Sequence, residues 1–295
     1  MNTELLPFSE QSAKKAAEIM AAGGVVGIPT ETVYGLAADA RNEAAVRSIF
    51  EAKGRPQDNP LIVHISALEQ LPPLVREIPE LALKIAEKYW PGPLTMIFPK
   101  SDMIPSATSG GLDTVAVRMP ESPAARAIID GGECRCGVES TVLCFPAADR
   151  VRILRPGGVT AEMLSELCQT DIDPAVTSEP PKGAKVMSPG MKYKHYSPKA
   201  EVFIVNAHGK QFGDWCMSHA ADGTLALSAD PVEHGMFRCF GRDTAEQAHR
   251  LFALLREADD EGAKTIYVEM PSKEGIGLAV YNRLLRAAAF RVIEV

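Results

Sequence analysis

The amino-acid sequence lacks the usual features of membrane and secreted proteins. No run of about 18 or more apolar residues occurs in the 295 residues, so no membrane-spanning helix is predicted. The N-terminus has no apolar stretch after a basic start, so no signal peptide is expected. The six cysteines form no CxxC pair, which argues against a zinc site and against a disulfide framework. We therefore expect a cytoplasmic protein with reduced thiols and no membrane partner.

Several catalytic signatures are missing as well. The sequence contains no HExxH, no GxxxxGKS/T phosphate-binding loop and no serine-protease pattern, so neither a metal-ligand set nor a covalent nucleophile is indicated. The net charge of −7 argues against a surface that binds nucleic acid as a whole, but it allows a local basic site for an anionic ligand. Nucleotide chemistry would therefore depend on cationic side chains that position the reactants.

Helix and strand patterns alternate along the chain, which predicts the α/β class. The pattern stops between Thr170 and Ala200, where five prolines fall, and this segment is predicted to be an extended linker. A second α/β pattern follows, and because it has no GxGxxG after a strand we do not assign a dinucleotide site to it. The expected parts are a first domain over 1–170, a linker over 171–200 and a smaller domain over 201–295.

Hydroxyl and basic side chains occur together in the first part of the chain. Pro29 to Leu36 reads PTETVYGL directly after a strand pattern, so Thr32 either contacts a small polar ligand or belongs to a plain turn. Lys53 and Arg55 lie at a predicted helix end, as a solvated basic terminus, a surface ion pair or a phosphate clamp. Asn59, in the stiff proline-containing loop that follows, can donate to a nucleotide.

Two predicted strands end on residues that prefer water. His64 ends an apolar strand, where a lone histidine is more often structural than functional. Arg118 closes the strand pattern TVAVR, which starts at Thr114. Because an unpaired buried charge is costly, Arg118 should meet either a protein carboxylate or an anionic ligand.

Polar residues also mark three later segments. Ser140, in GVESTV, either donates to a ligand or bonds within the sheet, and Arg155 lies in the turn ILRPGG. In the linker, His195 and Tyr196 belong to a cluster of aromatic and basic residues. Such a cluster indicates a segment that folds over a ligand, or one that packs against a domain.

These segments, in this order, resemble the Sua5/YrdC/YciO family in its long, two-domain Sua5 form. The resemblance extends from about Gly24 to Pro198 and continues more weakly through GLAVYNRLLRAA in the tail. It implies an α/β fold with a YrdC-like mixed-sheet domain and a second, smaller Rossmann-like Sua5 domain. The motifs that carry it are PTETVYGL, KGRPQDNPLIVHI, WPGPLT, LDTVAVRMP, GVESTV, ILRPGG and SPGMKYKHYSP.

The resemblance implies a nucleotidyltransferase. The family makes L-threonylcarbamoyl-AMP from L-threonine, bicarbonate and ATP, releases pyrophosphate, and so supplies the t6A modification of tRNA. Mg²⁺ is expected to assist ATP, and RNA or tRNA contact and the downstream t6A-transfer machinery are expected partners. By motif, the residues expected to contact threonine or its carbamate are Thr32, His64, Arg118 and Ser140. Those expected to hold ATP are Lys53, Arg55, Asn59, Thr114, Arg155, His195 and Tyr196.

The sequence departs from the family pattern in one place. Family members carry a Ser-Ala-Asn motif between VAVRMP and GVESTV, and this chain lacks it. The flanking matches meet near residues 127–131, so an internal block with a core strand and parts of both binding sites is expected to be missing. Losing a buried strand costs free energy comparable with the whole stability of a domain. The alternative function is therefore a non-catalytic family member that binds nucleotide or RNA. A third reading, a carbamoyltransferase module as in hydrogenase maturation, is disfavoured by the linker motif.

Overall fold

The structure, a computed structural model, describes residues 3–7, 9–121, 134–179 and 197–295. Within these ranges the chain forms two compact units. The first comprises the described residues up to Asp173, and the second comprises residues 174–179 and 197–295. No helix among the described residues is long and apolar enough to cross a membrane. The junction expected near residues 127–131 and most of the predicted linker lie outside the described ranges.

The first unit combines helices with a mixed six-stranded sheet, as the YrdC-like prediction requires. Its helices are α1 (Glu10–Ala21), α2 (Glu43–Lys53), α3 (Glu80–Tyr89), α4 (Ser106–Ser109) and α5 (Ala161–Ser165). Its strands are β1 (Val26–Ile28), β2 (Gly35–Ala37), β3 (Ile62–His64), β4 (Leu94–Pro99), β5 (Thr114–Arg118), β6 (Thr141–Ala147), β7 (Arg150–Arg155) and β8 (Gln169–Ile172). The order in the large sheet is β3-β5-β4-β6-β7-β8, and β1 pairs with β2 in a separate antiparallel ribbon.

Helix α2 shows how local sequence signals place the basic residues. The Asn42 side chain accepts from the backbone N–H groups of Ala44 and Ala45, which caps the start of the helix. Gly54 adopts a left-handed conformation with φ 59°, and this residue ends the helix. Lys53 therefore occupies the last helical position, and Arg55 follows the turn that leads toward β3.

The two faces of the six-stranded sheet carry different side chains. Because side chains alternate along a strand, Val115 and Val117 of β5 join the main core on one face. Ala116 lies on the other face, in a smaller apolar cluster with Ile97 and Val142. By the same alternation this second face also carries polar residues: His64, Thr95, Thr114, Arg118 and Ser140. We call it the polar face.

The second unit is a five-stranded, wholly parallel sheet, which confirms the Rossmann-like prediction. Its strands, in the order β11-β10-β12-β9-β13, are all joined by parallel pairing. The strands are β9 (Glu201–Asn206), β10 (Thr224–Ser228), β11 (Phe237–Cys239), β12 (Thr265–Glu269) and β13 (Val292–Glu294). The helices are α6 (Gly209–His219), α7 (Thr244–Asp260) and α8 (Gly277–Ala287).

A protein carboxylate occupies the edge of this sheet where such folds usually bind ligands. Glu269, at the end of β12, is 5% exposed. Its Oε1 accepts from the backbone N–H of Gly209 at 2.9 Å, and its Oε2 accepts from that of Ala229 at 2.7 Å. The carboxyl ends of parallel strands and the start of a helix attract anions. Here Glu269 supplies the anion internally, in accord with the missing dinucleotide motif.

The predicted linker is wrong at its start, and several short elements were not predicted. Gln169–Ile172 forms strand β8, which pairs in parallel with β7, and Pro174–Val176 forms a 3₁₀ turn. An edge strand is stabilised by backbone hydrogen bonds to one neighbour, so the polar side chains of β8 carry no alternating signal. Helix α6 was missed because Gly209 and Gly213 weaken its helical propensity.

Candidate active site

Arg118, at the end of β5, is the centre of a buried polar network. Its Nη2 lies 2.6 Å from Oε1 of Glu31, and both side chains are 4% exposed. Its Nη1 donates to Oγ1 of Thr32 at 2.8 Å, and its Nε donates to the carbonyl of Gly92 at 3.1 Å. Of the two partners expected for this buried charge, the structure thus provides the protein carboxylate.

The turn after β1 holds Thr32 in a defined orientation. Thr30 Oγ1 donates to the carbonyl of Val33 at 2.8 Å and accepts from the backbone N–H groups of Thr32 and Val33. Since Thr30 has used its only proton, the 2.8 Å contact between the two hydroxyls is one in which Thr32 donates. Thr32 in turn accepts from Arg118, so PTETVYGL is more than a plain turn.

His64 lies beside Arg118 but carries no charge at neutral pH. The two residues are cross-strand partners of β3 and β5. Burial, and secondarily the positive charge of Arg118, lower the pKa of His64 to about 3. The neutral imidazole can therefore act as a hydrogen-bond donor or acceptor, whereas it adds nothing to the positive charge of the network.

Ser140, directly before β6, is held by two neighbouring strands. Its Oγ lies 2.8 Å from Oγ1 of Thr95 on β4. Arg155, at the end of β7, donates from Nε and Nη2 to the Ser140 carbonyl and from Nη2 to its Oγ at 3.0 Å. Gly157 packs closely against the backbone of Ser140, since a Cβ at position 157 would lie 2.5 Å from the Ser140 carbonyl carbon. Ser140 is thus a buried hydroxyl with little freedom.

The remaining predicted cations, Lys53 and Arg55, lie at the end of α2 and in the turn that follows it. Lys53 is half-buried, and burial together with the neighbouring Arg55 lowers its pKa to about 8. Among the described residues neither side chain forms an ion pair, so the surface ion pair considered from the sequence is not seen. Half-burial also argues against a fully solvated basic helix end.

Asn59 lies before β3, and Thr114 begins β5, at the opposite end of that strand from Arg118. Asn59 is 4% exposed, and its loop packs closely on Gly110, whose Cβ would lie 2.9 Å from the nitrogen of Pro60. The parallel register of β3 and β5 pairs Ile62 with Ala116, and extending it backwards brings Pro60 level with Thr114. At about 3.3 Å per residue, Thr114 lies roughly 13 Å from Arg118 along β5.

We therefore divide the predicted residues that the structure describes into two groups, by the contacts and chain positions given above. One, which we call the arginine cluster, consists of Thr32, His64, Arg118, Ser140 and Arg155. The other, the lysine cluster, consists of Lys53, Arg55, Asn59 and Thr114. His195 and Tyr196 lie outside the described residues.

Two residues of the arginine cluster were not singled out from the sequence. Glu31 lies between two threonines of PTETVYGL, and only the fold reveals that it neutralises Arg118. Thr95 ends WPGPLT and is fully buried. A polar residue among the apolar positions of β4 is the signal that would have identified it.

The side chains described at this site suit a magnesium ion only when the ion is bound mainly by substrate phosphates. Within the described ranges, no group of three or more His, Cys, Asp or Glu side chains is arranged to hold a metal ion. Mg²⁺ usually binds through substrate phosphates, with waters and one or two carboxylates. The lysine and arginine side chains present here suit the phosphate oxygens themselves.

Comparison with known proteins defines the family. Residues 18–130 match a family model described as Telomere recombination, named for Sua5, YciO and YrdC. Residues 159–289 match the model for the threonylcarbamoyl-AMP synthase C-terminal domain. A threonylcarbamoyl-AMP synthase of Pyrococcus abyssi is 39% identical over 98% of this chain and 97% of its own length, and that of Bacillus subtilis is 35% identical over 99% and 97%. The chain belongs to the threonylcarbamoyl-AMP synthase family.

A solved structure supports the same assignment. The crystal structure of P. abyssi Sua5 complexed with L-threonine matches with a TM-score of 0.89 and 37% identity, and it covers 98% of both chains. The sequence alignment with the P. abyssi relative runs over 345 residues. About 289 of these positions are residues of this chain, because the alignment covers 98% of its 295 residues. The other 56 or so are positions at which this chain has a gap. The first family match ends at residue 130, next to the expected missing block.

Proposed function

We propose that this protein forms L-threonylcarbamoyl-AMP from L-threonine, bicarbonate and ATP and releases pyrophosphate. The observation that supports this best is that Thr114 and Arg118 lie on one sheet face, about 13 Å apart along β5, with the arginine cluster at the Arg118 end. An extended substrate pair, with an amino acid at one end and a nucleotide at the other, suits such an arrangement. Two relatives that match this chain over nearly the full length of both proteins are named for this activity.

The two clusters are assigned to the two substrates. Threonine or its carbamate would contact Thr32, His64, Arg118 and Ser140 of the arginine cluster. ATP would lie against the lysine cluster, with His195 and Tyr196 of the linker as further contacts. Arg155 bonds to Ser140, so we place it where the carbamate meets the α-phosphate.

The reaction joins two anions, and fixed cations make this approach less unfavourable. A carbamate oxygen attacks the α-phosphorus, a new P–O bond forms, and the bond to the bridging oxygen of pyrophosphate breaks. Lys53 and Arg55 would stabilise the charge that develops on the leaving pyrophosphate. Holding both reactants on one sheet face removes much of the entropic cost of their encounter. Mg²⁺, bound by the ATP phosphates, would add further positive charge.

The wider context of the reaction is part of the same proposal. The product would pass to the machinery that makes t6A in tRNA, and RNA contact would occur during this transfer. Such a reaction takes place where ATP and tRNA are available, in the cytoplasm. We also propose the three functional parts expected from the sequence, with the end of the first moved from residue 170 to Asp173 so that it contains all of β8.

Product formation tests the proposed function directly. Purified, folded protein is incubated with ATP, L-threonine and isotopically labelled bicarbonate, and pyrophosphate and labelled threonylcarbamoyl-AMP are measured. Release that depends on both threonine and bicarbonate is expected. The roughly 56 unmatched alignment positions favour one competitor, a binding protein without catalysis. ATP binding without any turnover would select that alternative.

Raising the pH from about 7 to about 9 is expected to weaken ATP binding. Lys53 is charged below its pKa of about 8 and loses its proton as the pH rises through that value. The affinity for ATP should therefore fall by up to about 10-fold. Lys53→Arg keeps the charge and should remove this dependence. The exposed Lys14→Arg variant should retain it. Calorimetric titrations across this range provide the measurement, and an unchanged decline in Lys53→Arg would contradict the assignment.

A further inference from the structure

The hydroxyls of Thr95 and Ser140 form an unusual buried pair on the polar face. Their oxygens are 2.8 Å apart, and the residues are 0% and 1% exposed. Arg155 Nη2 donates to the same serine oxygen at 3.0 Å, because a guanidinium has donors only. Thr95 also stands directly across from Arg118 in the pairing of β4 with β5. The pair is therefore part of the arginine cluster.

A count of protons indicates that this pair has one donor to spare. Two hydroxyls carry two protons, and only one of them can lie between the two oxygens. Among the described residues, neither hydroxyl has another acceptor. One proton of the pair must therefore point elsewhere, and a buried donor of this kind favours a ligand oxygen as its acceptor.

The position of the spare proton follows from the direction of the Thr95–Ser140 bond. If Thr95 donates, Ser140 accepts from both Thr95 and Arg155, and its own proton is released for a ligand. Two incoming hydrogen bonds polarise the serine hydroxyl and make it a stronger donor. If Ser140 donates instead, Thr95 retains the spare proton and Ser140 cannot donate to a substrate.

We propose that Thr95 is a positioning residue that donates to Ser140 and thereby turns the Ser140 proton toward a carboxylate oxygen of L-threonine or its carbamate. This inference rests on the proposed function, in which Ser140 contacts the amino-acid substrate. Thr95 acts through Ser140 and does not itself touch the ligand. The recognised chemistry is an anionic oxygen next to the positive charge of Arg118.

A double-mutant cycle on L-threonine affinity tests this role. Ser140→Ala is expected to weaken threonine binding by about 30-fold and Thr95→Val by about 10-fold, values typical of a hydrogen bond to a charged group. Because Thr95 acts only through Ser140, the double variant should bind about as weakly as Ser140→Ala alone. Thr95→Ser keeps the hydroxyl and should restore affinity to within about 3-fold of the original. Calorimetry without ATP gives these affinities.

Matched variants separate this role from a general loss of folding or stability. Thr170→Val on the edge strand β8 removes a hydroxyl that donates to the Cys168 carbonyl, and it should leave threonine affinity unchanged. Thr95→Ala replaces Thr95→Val in the cycle if the valine variant does not fold. An additive loss of about 300-fold in the double variant would overturn the proposal. Unchanged affinity in Thr95→Val would overturn it too.

The outcome for Thr95 is distinguishable from the outcome for the proposed function. A protein that binds threonine but releases no pyrophosphate contradicts the proposed reaction, while the affinity cycle still reports on Thr95. A protein that forms product with unaltered threonine affinity in Thr95→Val contradicts only the role of Thr95. Absence of any threonine binding in the unaltered protein overturns both.

Discussion

Arg118→Met is expected to lower the free energy of unfolding by about 3–5 kcal/mol. The substitution leaves the Glu31 carboxylate, which is 4% exposed in the ion pair, buried without its counter-ion. It also leaves the Thr32 hydroxyl and the Gly92 carbonyl without their donor. Urea unfolding followed by circular dichroism measures the loss. Threonine binding should disappear in the same variant, because the unpaired Glu31 carboxylate would repel the substrate carboxylate.

A paired substitution separates the cost of a broken ion pair from the value of the intact one. Replacing both partners, as Glu31→Leu with Arg118→Met, removes both buried charges and should recover much of the stability lost in the single variant. It should not recover threonine binding. If the single and double variants are equally unstable, burial of an unpaired carboxylate is not the cause of the loss.

Gly157→Ala is expected to cost more than about 4 kcal/mol of stability, beyond the range of most single substitutions. A Cβ at this position would lie 2.3 Å from the carbonyl oxygen of Glu139 and 2.3 Å from the nitrogen of Thr141. Both are backbone atoms, so no side-chain rotation relieves the overlap. The start of β6 must move, and Ser140 must move with it.

The Gly157 prediction has a matched control in the same unit. Gly27 lies in β1, and a Cβ there would meet no atom within 4 Å. Gly27→Ala should therefore change the melting temperature little. For Gly157→Ala, thermal unfolding and soluble yield should both fall sharply, and any folded fraction should bind threonine weakly. A Gly157→Ala protein with unchanged melting temperature would show that this backbone contact is not close in solution.

Local signals made most of the longer helices and several strands predictable from the sequence. Ser9 caps α1, Asn42 caps α2 and Asp243 caps α7, each by accepting from a backbone N–H within the first turn. The strand pattern TVAVR agrees with β5 over Thr114–Arg118. These features depend on residues close together in the chain, so their physical causes are visible in the sequence.

Elements stabilised mainly by distant backbone partners were less predictable. Strand β6 begins at Thr141, directly after the polar residues Glu139 and Ser140, and its pairing with β4 and β7 decides where it starts. Strand β8 was absorbed into the predicted linker for the same reason. Register and edge position depend on the neighbouring strand and leave little trace in a short polar segment.

Local features of the sequence are enough to predict the α/β class, the helix caps and the motifs by which the chain resembles its family. The tertiary structure alone decided which groups meet: Arg118 reaches Thr32 across 86 residues, and Ser140 meets Thr95 across 45. It also decided that Glu31 neutralises Arg118. The physical reason is that propensity and capping act between near neighbours, whereas hydrogen bonding and charge pairing in a buried site depend on strand register and on which face of the sheet a side chain occupies.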